Sequence, residues 1–227
     1  MSDIRSAPLL VFDLDGTLAD TAIDLIATLN VILGRENLPP LPTEQARPMV
    51  GAGARALIER GLKASGVTVS EAKLEEMFDA YLAHYEAHIC DATQLYPGVS
   101  AALDRFEQNG WIFAVCTNKI EHPSRLLLDQ LGVKERFKAI CGKNTFAVSK
   151  PDGGALLQTI ARAGGDAHRT IMVGDTKVDV ETARNAAVPV IAVDFGYTDQ
   201  PIAYYKPDKV ISHYDQLWHA VASLNLA

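Results

Sequence analysis

No run of 18 apolar residues occurs in the chain, which argues against a membrane-spanning helix. The opening MSDIRSAP has neither the basic nor the apolar segment of an export signal. Cysteine is scarce. Cys90, Cys116 and Cys141 cannot all pair internally, and two of them lie inside apolar strand-like runs, so free thiols in a reducing, cytoplasmic compartment are expected. Positive charge is also short: 21 basic against 28 acidic residues leave a formal charge of -7, which gives no general attraction to nucleic acid polymers or an anionic membrane. A single cleft can still be locally positive, so this balance does not exclude a small anionic substrate. Cysteine and histidine do not cluster at zinc-binding spacing. What is present is apolar material, 48% of 227 residues, enough for one full core and a smaller second domain.

The chain is organised around LLVFDLDGTLAD, residues 9–20. The apolar run Leu9 to Phe12 is too short for a helix and stops at Asp13, Asp15 and Gly16, so it reads as a buried strand delivering two carboxylates to a turn. Residues 21–91 read as helices with almost no strand. Ile23, Ile26, Leu29 and Leu33 recur at helical period, prolines at 39, 40 and 42 break the pattern, and Thr43 is placed to cap a short helix containing Arg47. A helix is expected over Ala54 to Gly61 and another from Ser70 to about Cys90, with Met77, Tyr81 and Tyr85 in its core face. Beyond residue 92 short apolar strands alternate with helices: strands at 111–118, 137–141, 170–173, 188–193 and 210–211, a helix beginning at Pro97, and a final one at 214–224. Continuous apolar strands in this order predict an α/β fold, a doubly wound parallel sheet with helices on both faces and an inserted α-helical cap. The expected division is a core of residues 1–20 and 92–227 and a cap of residues 21–91.

Ligands of open parallel sheets bind beyond the carboxyl ends of the strands, and that is where the polar residues gather. The first strand ends in Asp13 and Asp15, the second in Thr117 and Asn118, the third leads to Lys150, and the fourth ends in Gly174, Asp175 and Thr176, with Asp179 four residues beyond Asp175. Singly, each has another explanation: an Asp-Gly turn, a helix cap, a solvated lysine. Together they make chemical sense as a Mg²⁺ and phosphoryl site. Asp13 and Asp175, with the backbone carbonyl of Asp15, suit a hard ion that takes oxygen ligands, and Asp179 could orient a metal-bound water. Gly16, Thr17, Thr117 and Asn118 would bind phosphate oxygens, and Lys150 would neutralise charge between phosphate and nucleophile. Asp13 can attack phosphorus, and Asp15 can serve first as acid and then as base.

These motifs resemble the haloacid dehalogenase superfamily, and within it the phosphoglycolate phosphatase-like branch. Asp13, Asp15, Gly16 and Thr17 match its D-x-D-G-T signature. Thr117 and Asn118, in TNK, match the second motif, Lys150 with Pro151 the third, and GDTKVD, with Asp175 and Asp179, the fourth. VGAGARAL resembles a glycine-containing cap loop that closes over substrate. Two departures stand out: GKNTF at 142–146, where relatives usually carry Gly-Gly-Asp or Gly-Asp, and Ala187, where many have glycine. The resemblance implies a Mg²⁺-dependent phosphomonoester hydrolase acting on a small molecule, with 2-phosphoglycolate the favoured substrate. Nucleotide or sugar phosphatases and a phosphosugar mutase use the same machinery. In the cap, Gly53 and Arg55 are expected at the substrate, Arg55 as reader of a carboxylate and Arg47 and Lys63 as weaker candidates. A phosphoacceptor signalling domain is the alternative from another class, disfavoured by Asp15, which would shorten the life of a phosphoaspartate. The chain is expected to act as a monomer or homodimer.

Overall fold

The structure, a computed structural model, describes residues 6–51, 53–198 and 200–224. In chain order it runs β1 (Leu9–Phe12), β2 (Ala19–Asp20), α1 (Ala22–Arg35), α2 (Thr43–Ala46), α3 (Ala54–Ala64), α4 (Glu71–Ala87) and β3 (Gln94–Leu95). There follow α5 (Val99–Gln108), β4 (Ile112–Cys116), α6 (Glu121–Gln130), β5 (Phe137–Cys141), α7 (Gly153–Arg162), β6 (Thr170–Gly174), α8 (Lys177–Asn185), β7 (Val190–Val193), β8 (Lys209–Ile211) and α9 (Leu217–Ala222).

The LLVF of β1 is buried on both faces because it lies inside a parallel sheet of order β5-β4-β1-β6-β7-β8. Leu9 stands beside Ile112 on one flank and Thr170 on the other; Phe12 stands beside Val115 and Val173. Alternate side chains serve different cores. Leu10 and Phe12 pack with Leu103, Phe106, Leu127 and Leu217, whereas Leu9 and Val11 pack with Leu156, Ile160, Val180 and Ala183. Each such side chain contributes about 1.5–3 kcal/mol when fully buried. A strand covered on both sides has no polar face, which is why its sequence is continuously apolar. From β1 the chain builds outward through β4 and β5, then crosses back to β6, β7 and β8, so the reversal of strand order falls beside β1.

Helices α1 to α4 pack on one another above the carboxyl end of β1. The buried face of α1 is Ala22, Leu25, Ile26, Leu29, Ile32 and Leu33. Ile23, expected on that face, is 47% exposed; Leu25 and Ile32 hold the stripe instead. Met77, Tyr81 and Tyr85 of α4 are buried. The two chain crossings that lead into and out of these helices are tied together. β2 and β3 pair antiparallel, Ala19 with Leu95 and Asp20 with Gln94, and the buried Asp24 carboxylate accepts from the Ala92 amide at 3.0 Å, the Thr93 amide at 2.8 Å and the Thr93 hydroxyl at 2.7 Å. Two-residue strands have no periodicity to read, so neither feature was legible beforehand.

Several element ends move by a residue or two. Pro42, not Thr43, precedes α2, and Arg47 falls in the 3-10 turn that follows it. Gly98, at φ 87, intervenes between Pro97 and α5. The last helix begins as a 3-10 turn at Tyr214–Gln216. β7 starts at Val190 because Ala187 and Val188 close α8: the Val188 amide donates to Ala183 O and the Ala187 amide to Arg184 O, a Schellman stop. That stop puts the exposed Ala187 at φ 53, a left-handed conformation that costs a residue with a Cβ more than glycine. Ala187→Gly should therefore raise stability by about 0.5–1 kcal/mol despite the greater freedom of glycine when unfolded, measured by urea denaturation, with activity unaltered.

Candidate active site

Asp13 follows the last residue of β1, and its amide bonds to Val173 O of β6. Its Oδ1 accepts from the Leu14 amide at 2.7 Å and lies 3.0 Å from Lys150 Nζ. Lys150 reaches in from the chain between β5 and α7, 2.6 Å from Asp179 Oδ1. Asp179 sits in the first turn of α8, where it completes a capping box: its Oδ2 accepts from the Thr176 amide and hydroxyl, at 2.9 and 2.7 Å, and from the Asp175 amide at 3.2 Å. The box satisfies orphan amides at the helix start and simultaneously holds the carboxylate beside Asp175.

Asp175 is wholly buried, with Oδ1 accepting from the Thr17 hydroxyl at 2.9 Å and Oδ2 from the Tyr197 amide at 2.7 Å. Bare backbone makes the room. A Cβ on Gly16 would stand 2.4 Å from Asp175 Oδ2, and one on Gly196 would stand 2.2 Å from Asp175 Cβ. Neither position accepts a side chain without displacing the carboxylate.

Oxygens of Asp13, Asp175 and Asp179 lie within 4.8 Å of one another. Three buried carboxylates face one ammonium, that of Lys150, leaving an excess of two negative charges where water is excluded. Burial, only partly opposed by Lys150, pushes Asp13 up to about 6; burial and the neighbouring Asp179 push Asp175 well above the usual carboxylate range. Lys150 is held above the ordinary lysine range: burial disfavours its charge, but Asp13 and Asp179 outweigh burial. The residues present fit a divalent cation, since an oxygen-only donor set with two uncompensated charges suits a hard metal ion.

Asp15 leaves the same strand tip in another direction. Its carboxylate is outside that cluster and pairs with the buried Lys119, whose Nζ is 3.1 Å from Oδ1 and 2.8 Å from the Tyr85 hydroxyl. All three line a small cavity between the sheet and the helices above it, closed by Gly53, Ala54, Leu57 and Tyr81. Its free volume, about 40 Å³, holds a few waters rather than an organic phosphate.

A family of haloacid dehalogenase-like hydrolases matches residues 10–193, a span that contains every one of these carboxylates. The chain belongs to that family. It is 46% identical to a phosphoglycolate phosphatase of Mesorhizobium japonicum over 212 residues, 93% of each chain, and 43% identical to one of Agrobacterium fabrum, covering 95% of this chain and 92% of the relative. Among solved structures, a predicted phosphoglycolate phosphatase of Haemophilus somnus superposes with a TM-score of 0.88 at 26% identity, over 96% of this chain and 99% of that one.

In this haloacid dehalogenase-like hydrolase the expected residues Asp13, Lys150, Asp175 and Asp179 meet at one point, and Thr117 and Asn118 lie buried at the tip of β4. Two expected phosphate donors are otherwise engaged. The Gly16 amide donates to Ala19 O, closing the turn, and the Thr17 hydroxyl donates to Asp175, holding the acidic cluster. The Thr117 hydroxyl accepts from the Lys119 amide at 3.2 Å, and the Asn118 amide nitrogen donates to Lys150 O at 3.3 Å, which leaves Asn118 Oδ1 buried without a donor. Gly53 lines the cavity, at φ 94, where a Cβ would stand 3.2 Å from Asn118 O. Arg55 does not line it: its guanidinium is committed to Glu71 and Glu75, with Glu59 nearby, on the outside of the helices. Arg47 pairs with Asp20 at 2.7 Å, and Lys63 borders a separate shallow surface groove.

Lys119 and Tyr197 were not singled out from the sequence, and Tyr85 was read as part of the core face of its helix. Lys119 stands two residues past Thr117, and that position at a strand tip was the available signal. Tyr197 joins the acidic cluster to the chain crossing. Its amide holds Asp175, while its hydroxyl accepts from the Thr21 and Ala22 amides at 2.7 and 2.9 Å and donates to Asp20 Oδ1 at 2.7 Å.

Asp13 is raised from 3.8 to about 6 on folding, so its contribution is favourable below about pH 4 and is lost as pH rises through about 6. With divalent metal chelated, the stability of wild type relative to Asp13→Asn should fall by about 3 kcal/mol across that window, followed by urea denaturation at each pH. A flat difference would mean that the carboxylate is not strained by its surroundings.

Proposed function

We propose that this phosphoric monoester hydrolase hydrolyses phosphoglycolate, with Mg²⁺ as its metal and Asp13 as its nucleophile. The observation that carries the reading is the divergence of Asp13 and Asp15 from one strand tip. Asp13 lies among metal-compatible acids beside Lys150, whereas Asp15 faces the cavity where a leaving group would sit. Metal would be held by Asp13 and Asp175, with the Asp15 carbonyl and Asp179 in support. The positive charge of bound Mg²⁺ would offset that of the phosphate and the carboxylates.

The Asp13 carboxylate attacks phosphorus, the bond from phosphorus to the alcohol oxygen breaks, and Asp15 gives that oxygen its proton. Asp15 then takes a proton from water as water attacks the aspartyl phosphate, releasing phosphate and restoring Asp13. Lys150, Thr117 and the backbone around Asn118 steady the phosphate oxygens. Residues 21–91 act as a cap on a core of residues 1–20 and 92–227. Because the cavity beneath holds only a few waters, the cap must open to admit substrate and close to exclude water.

Phosphate release should depend on Mg²⁺ and stop on chelation. Phosphoglycolate should give the highest kcat/KM in a panel with a sugar phosphate, a nucleoside monophosphate and pyrophosphate. Asp13→Asn should abolish turnover and Asp15→Asn lower kcat by about 10²–10⁴-fold. A sugar phosphate converted to its isomer, or preferred over phosphoglycolate, would overturn the substrate assignment.

A further inference from the structure

We propose that Lys119 recognises the carboxylate of the substrate, exchanging its bond to Asp15 for one to the incoming anion. The inference rests on the reading of the site as a phosphoglycolate phosphatase and names the residue that selects the acid.

A lysine is seldom buried unless its charge is used, and Lys119 is only 7% exposed. Its ammonium has three protons to donate; Asp15 and Tyr85 take two, and the Tyr85 ring lies 4.3 Å away. Lys150 has a settled place between Asp13 and Asp179. Lys119 is the only cation among the described residues lining the cavity, and Arg55, the cation expected to fill this role, is bound to glutamates on the outside.

Substrate chemistry sets where a carboxylate reader must stand. In phosphoglycolate a single methylene separates the leaving oxygen from the carboxylate. A group that binds the carboxylate must therefore neighbour the group that protonates the leaving oxygen. Lys119 meets that requirement, being in contact with Asp15.

Charge balance points the same way. A neutral leaving group offers Lys119 nothing in place of Asp15. A carboxylate replaces one anionic partner with another and frees Asp15 for the leaving oxygen. The cap contributes as well. Tyr85 brings its hydroxyl from α4, and Gly53 and Ala54, where α3 begins, line the same wall with no side chain capping the helix, which leaves the first amides of α3 without a side-chain partner beside the cavity. Leu57, Tyr81, Leu82 and Ile120 are among the apolar residues of the wall, which suits a methylene and disfavours a polyhydroxylated sugar.

The test compares phosphoglycolate with ethyl phosphate, which has the same number of carbons and no carboxylate. Lys119→Met should lower kcat/KM for phosphoglycolate by about 10–100-fold, the worth of a charge-assisted hydrogen bond, and lower it less for ethyl phosphate. The ratio between the two should fall by at least about tenfold, chiefly through KM, and Lys119→Arg should restore part of it. Lys119→Gln, which still donates to Asp15 and Tyr85, gives the same split if the methionine variant does not fold. Equal losses on both substrates would reduce Lys119 to a support for Asp15 and overturn the proposal while leaving the phosphatase reading intact. A wild-type enzyme without preference for phosphoglycolate would overturn both.

Discussion

Three carboxylates are held out of water around one lysine, and much of the architecture follows from that constraint. Such a cluster opposes folding unless each oxygen has a donor and the remaining charge has a partner. The chain supplies donors from several directions: the Leu14 amide for Asp13, the Thr17 hydroxyl and Tyr197 amide for Asp175, and the amides opening α8 for Asp179. Lys150 supplies one positive charge. The glycines at 16 and 196 are where backbone must approach a carboxylate too closely for any Cβ. Local destabilisation of this kind belongs at a site that is completed by a ligand, because the binding free energy is then realised only where the strain is stored.

The sheet is the frame for this cluster, and helices α1 to α4 pack on one another above it. They share an apolar core with the frame through Leu14, Leu18, Leu25 and Ile26, and polar contacts add a few specific ties. Asp24 gathers the returning chain at Ala92 and Thr93, Tyr197 ties Asp175 to the first residues of α1, and Arg47 reaches from the helices to Asp20. The Lys119 to Tyr85 bond crosses the cavity itself. These hydrogen bonds are mostly buried, so exchanging one costs little only where a new partner takes the place of the old.

The places of Asp13, Thr117, Lys150 and Asp175 were legible because polar residues end or follow buried apolar strands, and buried parallel strands leave an apolar record in the sequence. The strands and most helices were legible for the same reason. Arg55 misled because charge on an amphipathic helix says nothing of which way the side chain leans; three nearby glutamates decide that. Gly16 and Thr17 had the correct location, but their donors are turned to Ala19 and Asp175.

The sequence by itself determined the fold class, the order of elements and the set of groups at the carboxyl edge of the sheet, because hydrophobic period and short-range motif spacing are local properties. Tertiary structure alone decided which partner each polar group has. Lys119 and Tyr85 are 34 residues apart, Asp15 and Lys119 are 104 apart, and Asp20 and Tyr197 are 177 apart. Nothing local records such pairs: they arise where separate segments are packed into the same few ångströms, and there a lysine that looks like part of a strand tip becomes the one positive charge among the described residues lining a small cavity.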